Sequence, residues 1–261
     1  MESSRVGALV RTMFLCLSLA VGLAGQSRHP IVASAATAGR SRWPIFASAT
    51  MATSSATSLV TLAETFINEK SGFYSPHDAD RFADDFVFRG PVIGPLNKAD
   101  YLSTMSTFKV YKAFPDISPN AFGFAVDPMD ERRVWFFCRN TGTNTGPFGL
   151  GYGLEAPPSG NYVDGVLETF SITFDENDRV KLLTVGYVAD RFQGNTGGVG
   201  AAFGLLRVAG IPLPGGLLYK AAVALSNRLP GATAKSCSKR EDVPQWWLDV
   251  SEARGPDGYN L

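Results

Sequence analysis

With 24 basic and 24 acidic side chains in 261 residues, the chain carries no formal net charge. It shows no basic stripe, which argues against nucleic acid as a main partner. The three cysteines, Cys16, Cys138 and Cys237, have no zinc-like spacing. Two unrelated thiols at Cys138 and Cys237 are the expectation, with one disulfide as the alternative.

The first 57 residues do not read as fold. Residues 1–25 combine Arg5 and Arg11 with an apolar run from Met13 to Ala24 and end in small residues. That is the form of a signal peptide, an uncleaved anchor being the alternative. Residues 26–57 are rich in Ala, Ser and Thr, carry Arg28, Arg40 and Arg42, and contain no acid. Together the two segments resemble a bipartite plastid presequence; a secreted or endomembrane protein with a disordered leader is the other reading. The remainder, roughly 200 residues, suffices for one domain with a substantial core.

Residues 58–70 place Leu59, Leu62, Ala63, Phe66 and Ile67 at helical spacing, with Ser58 as the expected N-cap. A short helix is expected over residues 75–83, with Ala79, Phe82 and Ala83 inward, then a short strand over residues 84–91. Residues 98–113 read as one helix with an apolar face of Tyr101, Leu102, Met105, Phe108 and Tyr111. Strands follow over residues 120–127 and 133–145, then a Gly/Pro-rich loop over residues 146–159.

The stretch from Gly160 to Phe192 reads as two long strands around the turn Asp175-Glu176-Asn177-Asp178. Alternation puts Val166, Phe170, Ile172 and Phe174 on one face, with Glu168 among them. A carboxylate in an apolar stripe is costly unless paired, protonated or facing a wet cavity. Residues 193–261 form a helical extension: apolar helices over residues 201–210 and 217–228, then Trp246 and Trp247 near the end. These helices could cap the sheet, mediate a homodimer or touch a membrane peripherally. The two tryptophans are expected as surface-packed anchors. Three helices followed by long antiparallel strands indicate an α+β domain with helices on one sheet face.

Three stretches carry a family likeness: FADDFVFRGP, the FPD that closes the following helix, and RNTGTNTG…PPSGNYV before the last hairpin. In order and spacing they resemble the SnoaL-like branch of the NTF2-like superfamily over residues 58–192. The resemblance implies an α+β cone, with a curved antiparallel sheet wrapped around N-terminal helices and enclosing one apolar pocket. It implies either a cofactor-free isomerase, cyclase or dehydratase acting on a lipophilic carbonyl compound, or a non-catalytic binder of a lipophile such as a carotenoid, or an assembly subunit. Fold does not choose between them. The family's machinery is incomplete in this chain. Gly90 stands where ketosteroid isomerase has its base, Asn144 where many relatives have histidine, and Tyr187 at the first acid of a D-x-x-D run that keeps Asp190.

Glu168 is therefore the first candidate proton carrier, its pKa raised by an apolar pocket, with a structural pairing to Arg139 as the bland alternative. Tyr187 is the candidate donor to a developing enolate, and Asp190 a further acid or a turn cap. Arg89, Trp135, Arg139 and Asn144 are candidate ligand contacts. Neither a cofactor nor a metal site is expected.

Overall fold

The computed structural model describes residues 52–151, 153–211 and 233–253, and their side chains from residue 58 to residue 250. The expected signal and leader segments, apart from residues 52–57, and the expected helix over residues 217–228 lie outside the described residues.

Helix α1 runs Ala52–Glu69 and starts ahead of the expected cap, so Ser58 lies inside it. Its stripe is as the spacing predicts: Leu59, Ala63, Phe66 and Ile67 are buried. The expected second helix is absent. Only one 3₁₀ turn, Ala79–Arg81, forms there, and Phe82 already begins strand β1, Phe82–Arg89. Asp78 caps that turn by accepting from the Asp80 N–H, and the β-prone run that follows takes the chain into the sheet. After β2 (Leu96–Asn97), helix α2 covers Lys98–Phe108, with the Asn97 side chain accepting from the Asp100 N–H.

The expected single helix over residues 98–113 is interrupted. Lys109 takes a left-handed conformation (φ 44°), and a one-turn helix α3, Val110–Ala113, points in a new direction. That change lets Val110, Ala113 and Phe114 join a second apolar cluster with Phe148 and Val163.

The strands that follow are β3 (Phe122–Asp127), β4 (Asp130–Cys138), β5 (Thr141–Thr143), β6 (Phe148–Gly151), β7 (Leu154–Ala156), β8 (Tyr162–Asp164), β9 (Leu167–Phe174) and β10 (Val180–Asp190). Six of them form one sheet in the order β2-β1-β10-β9-β4-β3, antiparallel except for β1 beside β10. Both long expected strands break at the same level: β4 passes into β5 at residues 139–140, and β8 into β9 at residues 165–166. There the Gly165 N–H donates to the Asn140 carbonyl at 2.7 Å, and a Cβ on Gly165 would stand 2.7 Å from that oxygen. Only glycine permits this approach, and it turns β5 and β8 into a separate two-stranded sheet.

The inner sheet face packs Phe82, Phe86, Val134, Phe136, Ile172 and Leu183 against α1 and α2, all essentially buried. Burying each such side chain stabilises by about 1.5–3 kcal/mol. One helix also covers part of the outer face, contrary to the one-face expectation. Helix α5 (Gln245–Ala253) sets Trp247 and Leu248 on Val87 and Leu182, while Trp246 Nε1 donates to the Asp85 carbonyl at 2.9 Å. The tryptophans are thus packed anchors. The chain before α5 is clamped to α2: Lys235 Nζ and Ser238 Oγ each lie 2.6 Å from the buried Asp100 carboxylate. Helix α4, Ala201–Val208, forms where the sequence predicts it. Cys138 and Cys237 are both free thiols.

Candidate functional site

Glu168 sits on β9 with its side chain turned inward, as alternation requires, and is 1% exposed. Cys138 on β4 and Val188 on β10 are its register neighbours. Its oxygens are held by neutral groups. Asn140 Nδ2 donates to Oε1 at 3.2 Å, and the Ala201 N–H donates to Oε2 at 2.8 Å. The expected pairing with Arg139 does not form, because Arg139 bridges to Asp164 at 2.8 Å and donates to the Gly165 carbonyl. Asn140 is itself buried and accepts from the Tyr74 hydroxyl at 2.6 Å. A short chain of hydrogen bonds therefore runs Tyr74–Asn140–Glu168–Ala201.

Burial pushes the Glu168 carboxyl up to about 7, against the opposing pull of the bonds from Ala201 and Asn140. The Tyr74 phenol is also raised well above its ordinary value, first by burial and then by the neighbouring Cys138 and Glu168. The Cys138 thiol is raised by burial and by Glu168. The low dielectric around them keeps Tyr74 and Cys138 neutral and brings the Glu168 carboxyl to its titration range near neutral pH.

The segment from residue 194 to residue 211 closes this site. A Cβ on Gly200 would stand 3.0 Å from Glu168 Cδ, so the backbone lies directly on the carboxyl group. Leu205, Leu206 and Val208 of α4 are buried beyond it against Val110, Phe114 and Val163. The ligand-sized hollow expected beside Glu168 is occupied by the chain itself.

Tyr187, expected to converge with Glu168, does not. It aligns with Thr169 on the outer face and is 43% exposed, because a bulge between Thr184 and Tyr187 shifts the register by one residue. Asp190 accepts from the Phe192 N–H at 2.9 Å and caps its own turn. Arg89 donates to the carbonyls of Ile93 and Gly94, holding the loop after β1. Asn144 has both amide ends occupied: Nδ2 donates to the carbonyls of Ala113 and Gly146, and Oδ1 accepts from Ser159. It pins the second apolar cluster and faces no ligand space.

Trp135 lies on the outer face, where its Nε1 donates to Asp127 at 2.7 Å. That face carries an open groove of about 980 Å³, lined in part by Arg89, Trp135 and Tyr187. Three expected site residues thus meet there, away from Glu168, which does not line the groove. Sequence reasoning missed Asn140, Tyr74 and the Ala201 N–H. Asn140 left a signal, since it continues the buried parity of Val134, Phe136 and Cys138. Tyr74 stands outside any periodic stretch, and a backbone N–H leaves no signal at all.

No protein-family model matches the chain, and no curated protein matches it in sequence. In three dimensions it is similar to a candidate SnoaL-like polyketide cyclase of Jannaschia sp. CCS1, with TM-score 0.41 and 18% identity over 67% of this chain and 99% of that one. It is also similar to an NTF2-like protein of Anabaena variabilis, with TM-score 0.37 and 15% identity over 54% of this chain and 95% of that one. A candidate polyketide cyclase of Acidithiobacillus ferrooxidans gives TM-score 0.37 and 18% identity over 60% and 97%.

Proposed function

We propose that the chain is a small-molecule pocket protein in which Glu168 moves protons on a lipophilic carbonyl compound. The observation that carries this reading is the carboxyl itself: 1% exposed, held by neutral groups, with its pKa at about 7. A carboxyl at that value both takes and returns a proton near neutral pH, as an isomerase, cyclase or dehydratase requires. Asn140 is the positioning residue, oriented in turn by Tyr74. The ligand reaches the carboxyl when the segment over residues 194–211 lifts, exchanging the Ala201 N–H for the reacting carbon–hydrogen bond.

The test is hydrogen–deuterium exchange at the α-carbon of a lipophilic β,γ-unsaturated ketone, followed by NMR. The wild-type chain should catalyse exchange near neutral pH, and Glu168→Gln should abolish it while keeping the fold. Equal exchange by the two proteins would reject the assignment.

A second reading, a non-catalytic holder of a lipophile or an assembly subunit, is favoured by the sealing of Glu168 and by the outward position of Tyr187. Native mass spectrometry of the purified protein separates the two, since a retained lipophile without exchange activity supports the holder. In either case we infer delivery to a plastid from the composition of residues 1–57. A fluorescent reporter fused behind those residues tests it, and secretion of the reporter would overturn it.

A further inference from the structure

The cover over Glu168 is fixed at both ends and lightly held between them. At one end the Asn195 backbone N–H donates to the Asp164 carbonyl at 2.8 Å, and its side chain accepts from the Asp164 N–H and donates to the Tyr162 carbonyl. At the other end Leu205, Leu206 and Val208 are buried, and Asn161 Nδ2 donates to the Val208 carbonyl at 2.9 Å. Among the described residues, the hydrogen bond that fastens residues 196–201 to the main sheet is the donation from the Ala201 N–H to Glu168 Oε2 at 2.8 Å. Ala201 makes that bond from the left-handed region, at φ 48°. An alanine is strained there, and the strain is relieved when the bond is given up. Gly197 and Gly198, at φ 68° and 80°, give the stretch its freedom to move.

The carboxyl under this strap has no cation to balance its charge. The groups that face it are Cys138 on β4, Asn140 just beyond β4, Tyr74 after α1, Val188 and Gly186 on β10, and Gly200 and Ala201 of the strap. Asn140, Val188, Gly186, Gly200 and Ala201 have no titratable side chain, and burial raises the Cys138 thiol and the Tyr74 phenol, so both stay neutral near pH 7. Arg139 is turned away to Asp164. An ionised Glu168 is therefore costly while the strap excludes water, and lifting the strap hydrates it. The Ala201 and Asn140 donors favour the ionised form, but burial outweighs them, which is why the carboxyl stands at about 7 instead of 4.5. The shut state thus holds the proton more tightly than the lifted one. Opening is promoted as pH rises from about 4.5 to about 7 and levels off above.

We propose that residues 196–201 form a gate over Glu168 that opens as the carboxyl ionises. Asn195 and the apolar body of α4 are the fixed posts, and the Ala201–Glu168 bond is the latch. That a substrate enters by this gate rests on the proton-transfer reading above, in which ionisation both creates the base and uncovers it. The gate itself does not rest on that reading.

The test is amide hydrogen exchange of the full chain, resolved by NMR from pH 5 to pH 8 and corrected for the intrinsic rate at each pH. The Ala201 amide, bonded to the carboxyl, and the Gly204 amide, bonded to the Gly200 carbonyl, report the gate; the amides of residues 59–67 in α1 report global unfolding. Protection of the two gate amides should fall by about tenfold or more between pH 5 and pH 7, and the α1 amides should stay far better protected throughout. Glu168→Gln keeps an acceptor for Ala201 and is neutral at every pH, so its gate amides should show the wild-type protection of pH 5 with no slope. Flat protection in the wild type would overturn the gate, and this profile decides the matter even where Glu168→Gln disturbs the fold. A slope kept in Glu168→Gln, or gate amides that exchange no faster than those of α1, would overturn it as well. Substrate deuteration is measured separately: a pH-dependent gate without it rejects only the catalytic reading, and deuteration with flat protection rejects only the gate.

Discussion

Glu168 and Tyr187 lie on paired strands but on opposite faces of the sheet, because one extra residue enters β10 between them. From Leu182 to Thr184, β10 pairs with β9 in a constant register that, continued without interruption, would set Tyr187 opposite Glu168. The bulge, placed where Gly186 adopts φ 79°, sets Val188 opposite Glu168 instead and turns Tyr187 outward. Tyr187→Phe should therefore leave the Glu168 titration unmoved and change stability by less than about 0.5 kcal/mol. Infrared titration of the carboxyl band and urea denaturation would check both.

The Glu168 carboxyl makes stability depend on pH in a definite direction. Its folded value of about 7 lies above the unfolded 4.5, so the folded state holds the proton more tightly. The Glu168 contribution to stability should be full below about pH 4.5 and should be lost as pH rises from there to about 7, by on the order of 3 kcal/mol. The exposed Asp116 and the half-buried Asp127 act oppositely at lower pH. Asp116 is held low by the Thr143 N–H, and Asp127 by Trp135 and then Met129. Their contribution is lost only as pH drops through their depressed values. Glu168→Gln should flatten the slope between pH 5 and 8 without altering the acid limb, as read from urea midpoints across that range.

Asn140 holds two buried groups at once, so its removal should cost more than the loss of either partner. Asn140→Ala strands the Tyr74 hydroxyl and one Glu168 oxygen, an expected loss of about 2–4 kcal/mol, while Tyr74→Phe should cost about 1 kcal/mol. In the double variant the effects should be less than additive. A double-mutant cycle from chemical denaturation measures the coupling.

Gly200 has an ordinary backbone conformation (φ −97°), so only space opposes a side chain there. A Cβ would stand 3.0 Å from both Glu168 Cδ and Val188 Cγ2, within the range where neighbours must give way. Gly200→Ala should push the start of α4 off the carboxyl, cost about 1–2 kcal/mol and speed amide exchange across residues 201–208. Exchange mass spectrometry would show it. Unchanged protection of those amides would mean that α4 is not seated on Glu168.

By itself the sequence determined several features that depend on local period, although the periods read over residues 75–83 and 98–113 gave a helix that does not form and one that is interrupted. The stripe of α1, the inward row Val166–Glu168–Phe170–Ile172–Phe174 and the apolar helix at Ala201–Val208 all follow from side-chain spacing that a few neighbouring residues define. It also marked Glu168 as anomalous, since a carboxyl in an apolar row needs an explanation whatever surrounds it. What surrounds it was decided only in three dimensions. Tyr74 meets Asn140 across 66 positions, the Ala201 N–H meets Glu168 across 33, and a single bulge reverses Tyr187. Strand register, close approach at glycine and hydrogen bonds from backbone donors arise from the pairing of distant segments, and no local pattern of residue types encodes them.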